Sequence, residues 1–130
     1  MTSLKEIYLL QEREDLLFVA SELIKYYGLK SKVRFGTYGK DEGGYNWDTD
    51  TIMLNKYYPK VSEFIITVLH EIHHALQIKK YGRRKFMKKY QQASNMADLD
   101  GKDRYLANKW EKKAENWAQQ EYRKKWKNNF

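Results

Sequence analysis

The sequence has no cysteine among its 130 residues, a single proline and only three histidines. The lack of cysteine excludes a disulfide framework, a cysteine-ligated zinc site and a thiol nucleophile. Charged residues interrupt every apolar run before it reaches the length of a membrane span. The first ten residues also lack the apolar core of a signal peptide. We therefore expect a cytoplasmic protein without a membrane partner.

Acidic residues are scarce in the second part of the chain. Residues 1–78 carry 9 basic and 11 acidic side chains, whereas residues 79–130 carry 16 basic and 6 acidic ones, a net charge of +10. A half with this charge attracts nucleic acid or an acidic protein face. A solvated lysine-rich surface has the same composition, so both interpretations stay open. The length of 130 residues is typical of one domain, and an apolar fraction of 42% is enough to form its core. The sequence therefore predicts a single domain over residues 1–130.

The first half of the chain predicts a helix followed by a small sheet. Ser3 and Glu6 have the spacing of a capping box, and Gly28 follows the last apolar position of that helix. Three short segments then have the composition of strands, at residues 33–38, 45–47 and 51–54, with 48–50 as a hairpin loop.

The second half predicts three helices. Ser62 is expected to cap a helix over residues 63–81 that ends at Gly82. A basic helix follows over 83–92, then a loop over 93–103 rich in Asn, Asp and Ser, and a last helix over about 104–126. The predicted fold class is therefore α+β, with an antiparallel or mixed sheet between the first two helices.

Residues 70–74 read H-E-x-x-H inside the predicted helix 63–81. Residues i and i+4 stand one above the other on a helix, so His70 and His74 present two imidazoles to one point. Neutral imidazole is a zinc ligand, and a catalytic zinc keeps one position for water. Glu71 is adjacent, where its carboxylate can take a proton from that water. His73 is rotated off this face; ligation by His73 in place of His74 is the less favoured alternative.

A catalytic zinc needs a third protein ligand, and no fourth histidine exists. The downstream carboxylates that could supply it are Asp98, Asp100, Asp103, Glu111, Glu115 and Glu121.

Glu111 is the favoured third ligand because it shares a helix stripe with Ala107, Ala114 and Ala118. Small residues let this helix approach another closely, and Glu111 is the one long polar group on the stripe. Glu115, one turn further on, could hydrogen-bond the other nitrogen of a ligating histidine. A surface ion pair with Lys112 is an equal alternative for it.

The pattern His70-Glu71-x-x-His74, followed by Glu111-x-x-Ala114-Glu115, resembles the gluzincin metallopeptidases, and among them the small ImmA/IrrE-like domains. The resemblance implies a zincin-like fold, a zinc cofactor held by His70, His74 and Glu111, and hydrolysis of peptide bonds. It differs at Glu115, since gluzincins carry Asp there. Residues 70–90 are more weakly similar to SprT-like proteases, but those use a further histidine that this chain lacks.

Metallopeptidases of this kind hold the substrate backbone as a strand added to a sheet edge. The segment just before the motif helix resembles that edge strand; it comprises Thr51, Ile52, Met53, Leu54 and Asn55. One tyrosine is expected to polarise the scissile carbonyl, with Tyr105, Tyr90 and Tyr38 as candidates.

The sequence thus predicts a zinc metallopeptidase acting on a protein or peptide, with Glu71 as general base. The alternative is a zincin-like binding module that uses the basic residues 79–130 on nucleic acid or on an acidic regulatory protein. A pure binding module would not need Glu71.

Overall fold

A three-stranded sheet and a long central helix organise the fold. The computed structural model describes residues 13–36 and 43–129. Its elements, in chain order, are α1 (Arg13–Tyr26), β1 (Lys32–Gly36), β2 (Gly43–Asn46), β3 (Thr51–Asn55), α2 (Val61–Tyr81), α3 (Arg83–Leu99), α4 (Lys109–Glu121) and a π-helical turn (Tyr122–Trp126). The α+β class is confirmed. The Ser3 and Glu6 capping box lies outside the described residues.

The sheet is mixed and has the strand order β1-β3-β2. Strand β1 runs parallel to β3, with Val33 opposite Ile52, and β2 runs antiparallel to β3, with Tyr45 opposite Ile52. The predicted hairpin loop forms the turn between β2 and β3, where Asp50 has a φ of 50° and accepts a 2.6 Å hydrogen bond from the Tyr45 hydroxyl. All three predicted strands in the described residues are therefore confirmed, with ends shifted by one or two positions.

The main core lies between α1, β3 and the apolar face of α2. Its largest fully buried side chains include Leu23, Ile52, Leu54, Tyr58, Phe64 and Leu69. Helix α1 ends as predicted at Gly28, whose φ of 73° suits glycine. The predicted cap at Ser62 is wrong: α2 begins at Val61 after the extended residue Lys60, without a side-chain cap.

Helix α3 is seven residues longer than the sequence predicts and replaces most of the expected loop over 93–103. Ala93, Ser94 and Ala97 are buried on one face of this extension. The polar composition indicated a loop, but these small residues at helical spacing give α3 a face that α4 can approach. The turn after α3 contains Gly101, with a φ of 70°.

Helix α4 begins at Lys109, five residues later than predicted, because Asn108 caps it. The Asn108 side-chain oxygen accepts from the Trp110 amide at 2.8 Å. Its amide nitrogen donates to the Tyr90 carbonyl and to the Ser94 hydroxyl at 3.1 and 3.0 Å. The fully buried Asn108 therefore ties the start of α4 to α3 and sets where the following residues of α4 lie.

The other end of α4 is attached to α1. The Tyr27 hydroxyl donates to the Glu121 carboxylate at 2.8 Å, and the Trp126 indole donates to the same hydroxyl at 3.0 Å. Trp126 lies in the π-helical turn, whose closing hydrogen bond joins the Lys127 amide to the Tyr122 carbonyl. Both ends of α4 are thus fixed against neighbouring helices.

Candidate metal centre

The motif helix α2 presents His70 and His74 on one face, as their i, i+4 spacing predicts. The two imidazole ring centroids lie 4.9 Å apart. Helix α2 buries side chains on two sides, one against the sheet and α1 and the other against α4. His74 is 4% exposed, so the pair lies at the contact between helices.

Glu111 of α4 meets both imidazoles. Its Oε1 lies 2.8 Å from His70 Nε2 and 2.7 Å from His74 Nε2. Glu111 is buried, since Ala114 and Ala118 on the same stripe are fully enclosed and let α4 approach α2 closely. Ala107, the first residue of the predicted stripe, lies before α4 begins. The structure therefore brings together the three side chains that the sequence selected as ligands.

The second nitrogen of each imidazole has a hydrogen-bond acceptor of its own. His74 Nδ1 donates to Gln77 Oε1 at 2.8 Å, and His70 Nδ1 donates to Glu115 Oε1 at 2.9 Å. Acceptors at Nδ1 fix the ring orientation and direct Nε2 of each ring toward Glu111. Glu115 was predicted either to hydrogen-bond a histidine or to pair with Lys112, and the structure shows the hydrogen bond with His70. The contact of Gln77 with His74 was not predicted.

The charges of this cluster are strongly coupled. Burial opposes protonation of His70, but hydrogen bonds to Glu111 and Glu115 raise its pKa to about 10. Burial also opposes ionisation of Glu111, yet hydrogen bonds from His70, His74 and Tyr90 hold its pKa well below the usual value for a glutamate. Glu111 is therefore an ionised carboxylate in a buried position, a state that needs cationic partners.

Glu71 is the neighbouring carboxylate, and it does not share the hydrogen bonds of Glu111. It is 4% exposed, and burial raises its pKa above the ordinary value. Ligand atoms of His70, Glu71 and His74 all lie within 4.8 Å of one another, a spacing that a metal ion can bridge. Glu111 also contacts both Nε2 atoms directly, so two carboxylates, Glu71 and Glu111, lie beside the histidine pair.

His73 lies off this face, as expected. Its ring packs on Trp117 with centroids 4.9 Å apart, and burial together with the nearby His74 and His70 lowers its pKa to about 4. Its buried Nδ1 has no hydrogen-bond partner among the described residues. His73 is therefore a neutral packing residue, and the alternative in which it replaces His74 finds no support in this geometry.

Tyr90 of α3 holds the second oxygen of Glu111. Its hydroxyl donates a hydrogen bond to Glu111 Oε2. The Tyr90 ring is held in turn by the Trp47 ring, in edge contact at 5.2 Å, and by the Phe86 ring at 6.2 Å. This contact leaves Glu111 Oε1 directed at the two imidazoles.

Tyr90→Phe is therefore expected to weaken zinc binding by about 10- to 100-fold, because the Glu111 carboxylate loses the group that orients it. Zinc affinity measured by competition with a colorimetric chelator tests this. Tyr45→Phe is the matched control, since the Tyr45 hydroxyl donates to Asp50 in the turn between β2 and β3. Equal zinc affinities for the Tyr90→Phe protein and the wild type would contradict the role.

A cleft of about 650 Å³ opens over this cluster. His70, Glu71, Glu111 and Glu115 line it, together with Tyr105 and Leu106 from the segment before α4. Among the tyrosine candidates, Tyr105 lines the cleft and is 53% exposed, whereas the Tyr90 hydroxyl is used by Glu111 and Tyr38 lies outside the described residues.

The prediction that Thr51, Ile52, Met53, Leu54 and Asn55 form a substrate-binding edge is wrong. These residues are β3, the central strand, and both of its sides are paired, by β1 and by β2. The strand order could not be deduced from the hairpin alone, because it depends on the parallel pairing of β1 with β3. The strand that reaches the cleft is β2, through Gly43.

Gly43 lies where β2 comes closest to the motif helix. A Cβ atom at this position would lie 2.9 Å from the Met53 carbonyl oxygen and 2.9 Å from Thr67 Cγ2 of α2. A side chain at this position would therefore require movement of the β3 backbone at Met53 and of the Thr67 side chain. The wall of the cleft is therefore backbone at this point, and within the described residues β2 pairs on one side only.

Sequence reasoning missed Gln77, although it had a readable signal, since it lies at i+3 from His74 on the same helix face. Tyr90 was predicted only as a candidate to polarise a substrate carbonyl. Its contact with Glu111 could not be predicted, because it depends on the packing of α3 against α4.

No helix in the described part of the chain combines the length and the apolar character that a membrane span requires. Comparison of the chain with known family models, with curated proteins and with solved structures finds no match.

Proposed function

We propose that this chain is a zinc metallopeptidase with a zincin-like fold, holding the metal through His70, His74 and Glu111. The observation that carries the proposal is the convergence of two imidazole Nε2 atoms on one Glu111 oxygen, at 2.8 and 2.7 Å. The resemblance of the H-E-x-x-H and Glu111-x-x-Ala114 segments to gluzincins supports it further.

The donor set suits zinc. Two imidazole nitrogens and one carboxylate oxygen are a common ligand set of catalytic zinc, whereas structural zinc sites are usually closed by four ligands that include cysteine. When bound, zinc acts as a Lewis acid that polarises a peptide carbonyl and makes water a better nucleophile. The acceptors at Gln77 and Glu115 support the imidazole orientation that this metal needs.

Glu71 supplies the base in this proposal. Its carboxylate accepts the proton of the attacking water and then carries it to the leaving amine. Burial raises the pKa of Glu71 above the usual value for a glutamate, and a stronger base takes up the proton of water more readily. Glu71 lines the cleft although its side chain is almost fully buried, so its carboxylate lies at the base of the cleft.

The cleft fits an extended peptide. The backbone of β2 at Gly43 offers an edge to which a substrate segment can add as a strand. Tyr105 also lines this cleft, and we infer that its hydroxyl donates to the scissile carbonyl.

The binding-module alternative has one observation in its favour, the exposed lysines of residues 79–129. Against it stands Glu71, an acid with a raised pKa that lines the cleft beside the ligands. A module that only binds has no use for such a group, so the peptidase is the better supported function.

Zinc-loaded protein is expected to cleave at least part of a mixture of unfolded proteins, and chelation followed by zinc readdition should abolish and restore the cleavage. Mass spectrometry of new peptide termini detects the products without knowledge of the substrate. A broad screen without cleavage, by protein that carries one zinc per chain, would favour the binding module instead.

A further inference from the structure

A second groove, of about 480 Å³, lies between α3 and α4. Buried small side chains line it, with Ala93 and Ala97 from α3 beside Trp110 from α4. The charged residues of the lining are mostly positive: they comprise four lysines and one acidic residue, Asp100. We call this the lysine groove and define it by Lys89, Lys102, Lys109 and Lys112.

Aromatic rings hold two of these lysines in place. The Tyr81 and Trp110 rings are in edge contact, with centroids 5.7 Å apart. Lys89 Nζ lies 5.4 Å from the centre of the Tyr81 ring, and Lys109 Nζ lies 5.0 Å from the centre of the Trp110 ring. Such contacts attract the ammonium group to the ring face and reduce its freedom before any ligand arrives.

Lys80 and Lys113 add to the same charge, at 5.2 Å from the Tyr81 ring and 4.7 Å from the Trp110 ring. Within residues 13–36 and 43–129, none of the lysines around these rings or in the groove forms an ion pair with a carboxylate. The positive charge of the groove is therefore left for a partner to neutralise.

The lysine groove is continuous with the cleft over the metal centre. Lys112 lines both. The segment between α3 and α4 also contributes to both, with Tyr105 and Leu106 on the cleft and Ala107 on the groove. Lys112 is therefore the point at which a peptide extending from the cleft would reach the groove.

We propose that the lysine groove binds an acidic stretch of the peptide substrate, so that the enzyme selects proteins with Asp- or Glu-rich sequence beside the cleaved bond. The role as a substrate subsite rests on the proposed function. Charge complementarity and continuity with the cleft carry it, and the small apolar lining accommodates peptide side chains.

Nucleic acid fits this surface less well. Single strands bind by stacking bases on open aromatic faces. Here lysine ammonium groups lie over the Tyr81 and Trp110 rings, where a base would have to stack. An oligonucleotide is therefore a competitor to be measured beside the peptide.

The test uses zinc-loaded Glu71→Gln protein, which holds a peptide without cutting it, and fluorescence anisotropy at low salt. The probes are a labelled Glu-rich peptide and a Gln-rich peptide of the same length. The Glu-rich peptide is expected to bind and the Gln-rich peptide to bind at least about tenfold more weakly, with the difference shrinking as salt rises.

Lys89→Gln, Lys102→Gln and Lys109→Gln combined should weaken binding of the Glu-rich peptide by about tenfold or more, since each removes one ammonium contact. The matched control removes three exposed lysines that do not line the groove, through Lys25→Gln, Lys30→Gln and Lys32→Gln. Far-ultraviolet circular dichroism verifies folding. Lys102→Glu, a single exchange in the turn after α3, is a second variant that should also weaken binding of the Glu-rich peptide.

Three results would overturn the proposal: no binding of the Glu-rich peptide at low salt, equal weakening by the two triple variants, or tighter binding of an oligonucleotide through the same three lysines. Hydrolysis plays no part in this assay. Loss of the groove proposal would appear in the binding assay, whereas loss of the peptidase proposal would appear in the wild-type cleavage screen. The two outcomes can therefore be distinguished.

Discussion

Glu71→Gln is expected to lower peptide-bond hydrolysis by about 10²- to 10⁴-fold while zinc content and thermal midpoint stay near those of the wild type. Glutamine has the same shape but cannot accept the proton of the attacking water. Glu71 is 4% exposed, so an isosteric change is needed to keep the packing of α2. Initial rates on any substrate found in the cleavage screen, with zinc measured on the same sample, provide the test.

Glu22→Gln, on the exposed face of α1, is the control for the same chemical change away from the cleft. It should leave rate and zinc content unaltered. Hydrolysis by the Glu71→Gln protein at the wild-type rate would rule out Glu71 as the base and would require another group of the cleft to take the proton.

His74→Ala should reduce zinc from one ion per chain to near zero and should remove the stabilisation that zinc gives to the wild type. His74 Nε2 is one of the two nitrogens directed at Glu111, so its loss leaves two protein ligands where catalytic zinc uses three. A ligand that binds only the folded state at 100 times its dissociation constant stabilises it by about 2.7 kcal/mol. The thermal midpoint of the wild type should therefore rise by several degrees on zinc addition.

The adjacent histidine provides the matched control. His73→Ala removes a ring that packs on Trp117 and is expected to lower stability, but the protein should still bind one zinc and still gain stability from it. Metal analysis and melting curves with and without chelator distinguish the two variants. Zinc retention by His74→Ala together with zinc loss by His73→Ala would reverse the assignment of the two ligands.

The helical part of the candidate site could be predicted because its information is local. An i, i+4 spacing fixes that His70 and His74 share a face, whatever surrounds the helix. The alanine stripe selected Glu111 for a related reason: small residues mark the face along which a helix approaches another. The structure brings Glu111 Oε1 against both imidazoles, as that selection requires.

The part that failed depends on contacts between distant segments. The central position of β3 follows from its pairing with β1, and no residue of β3 itself records that pairing. Likewise, residues 93–99 have a loop-like composition, but Ser94 is satisfied by Asn108 across the helix contact, so the segment stays helical. In both cases tertiary contacts outweigh local preference.

The two histidines receive their support from different helices, and this sets an order in which the site can assemble. Gln77 belongs to the same helix as His74, so α2 alone can orient that ring. The acceptor for His70 is Glu115, which arrives only with α4. Before α4 docks, only the His74 ring has its hydrogen-bond acceptor in place. Docking of α4 then adds Glu111 and the acceptor for His70, Glu115, in one step. Release should follow the reverse course: detachment of α4 removes Glu111 and Glu115 together, so exchange of the ion depends on the contacts that α4 makes with α2, with α3 and with Tyr27.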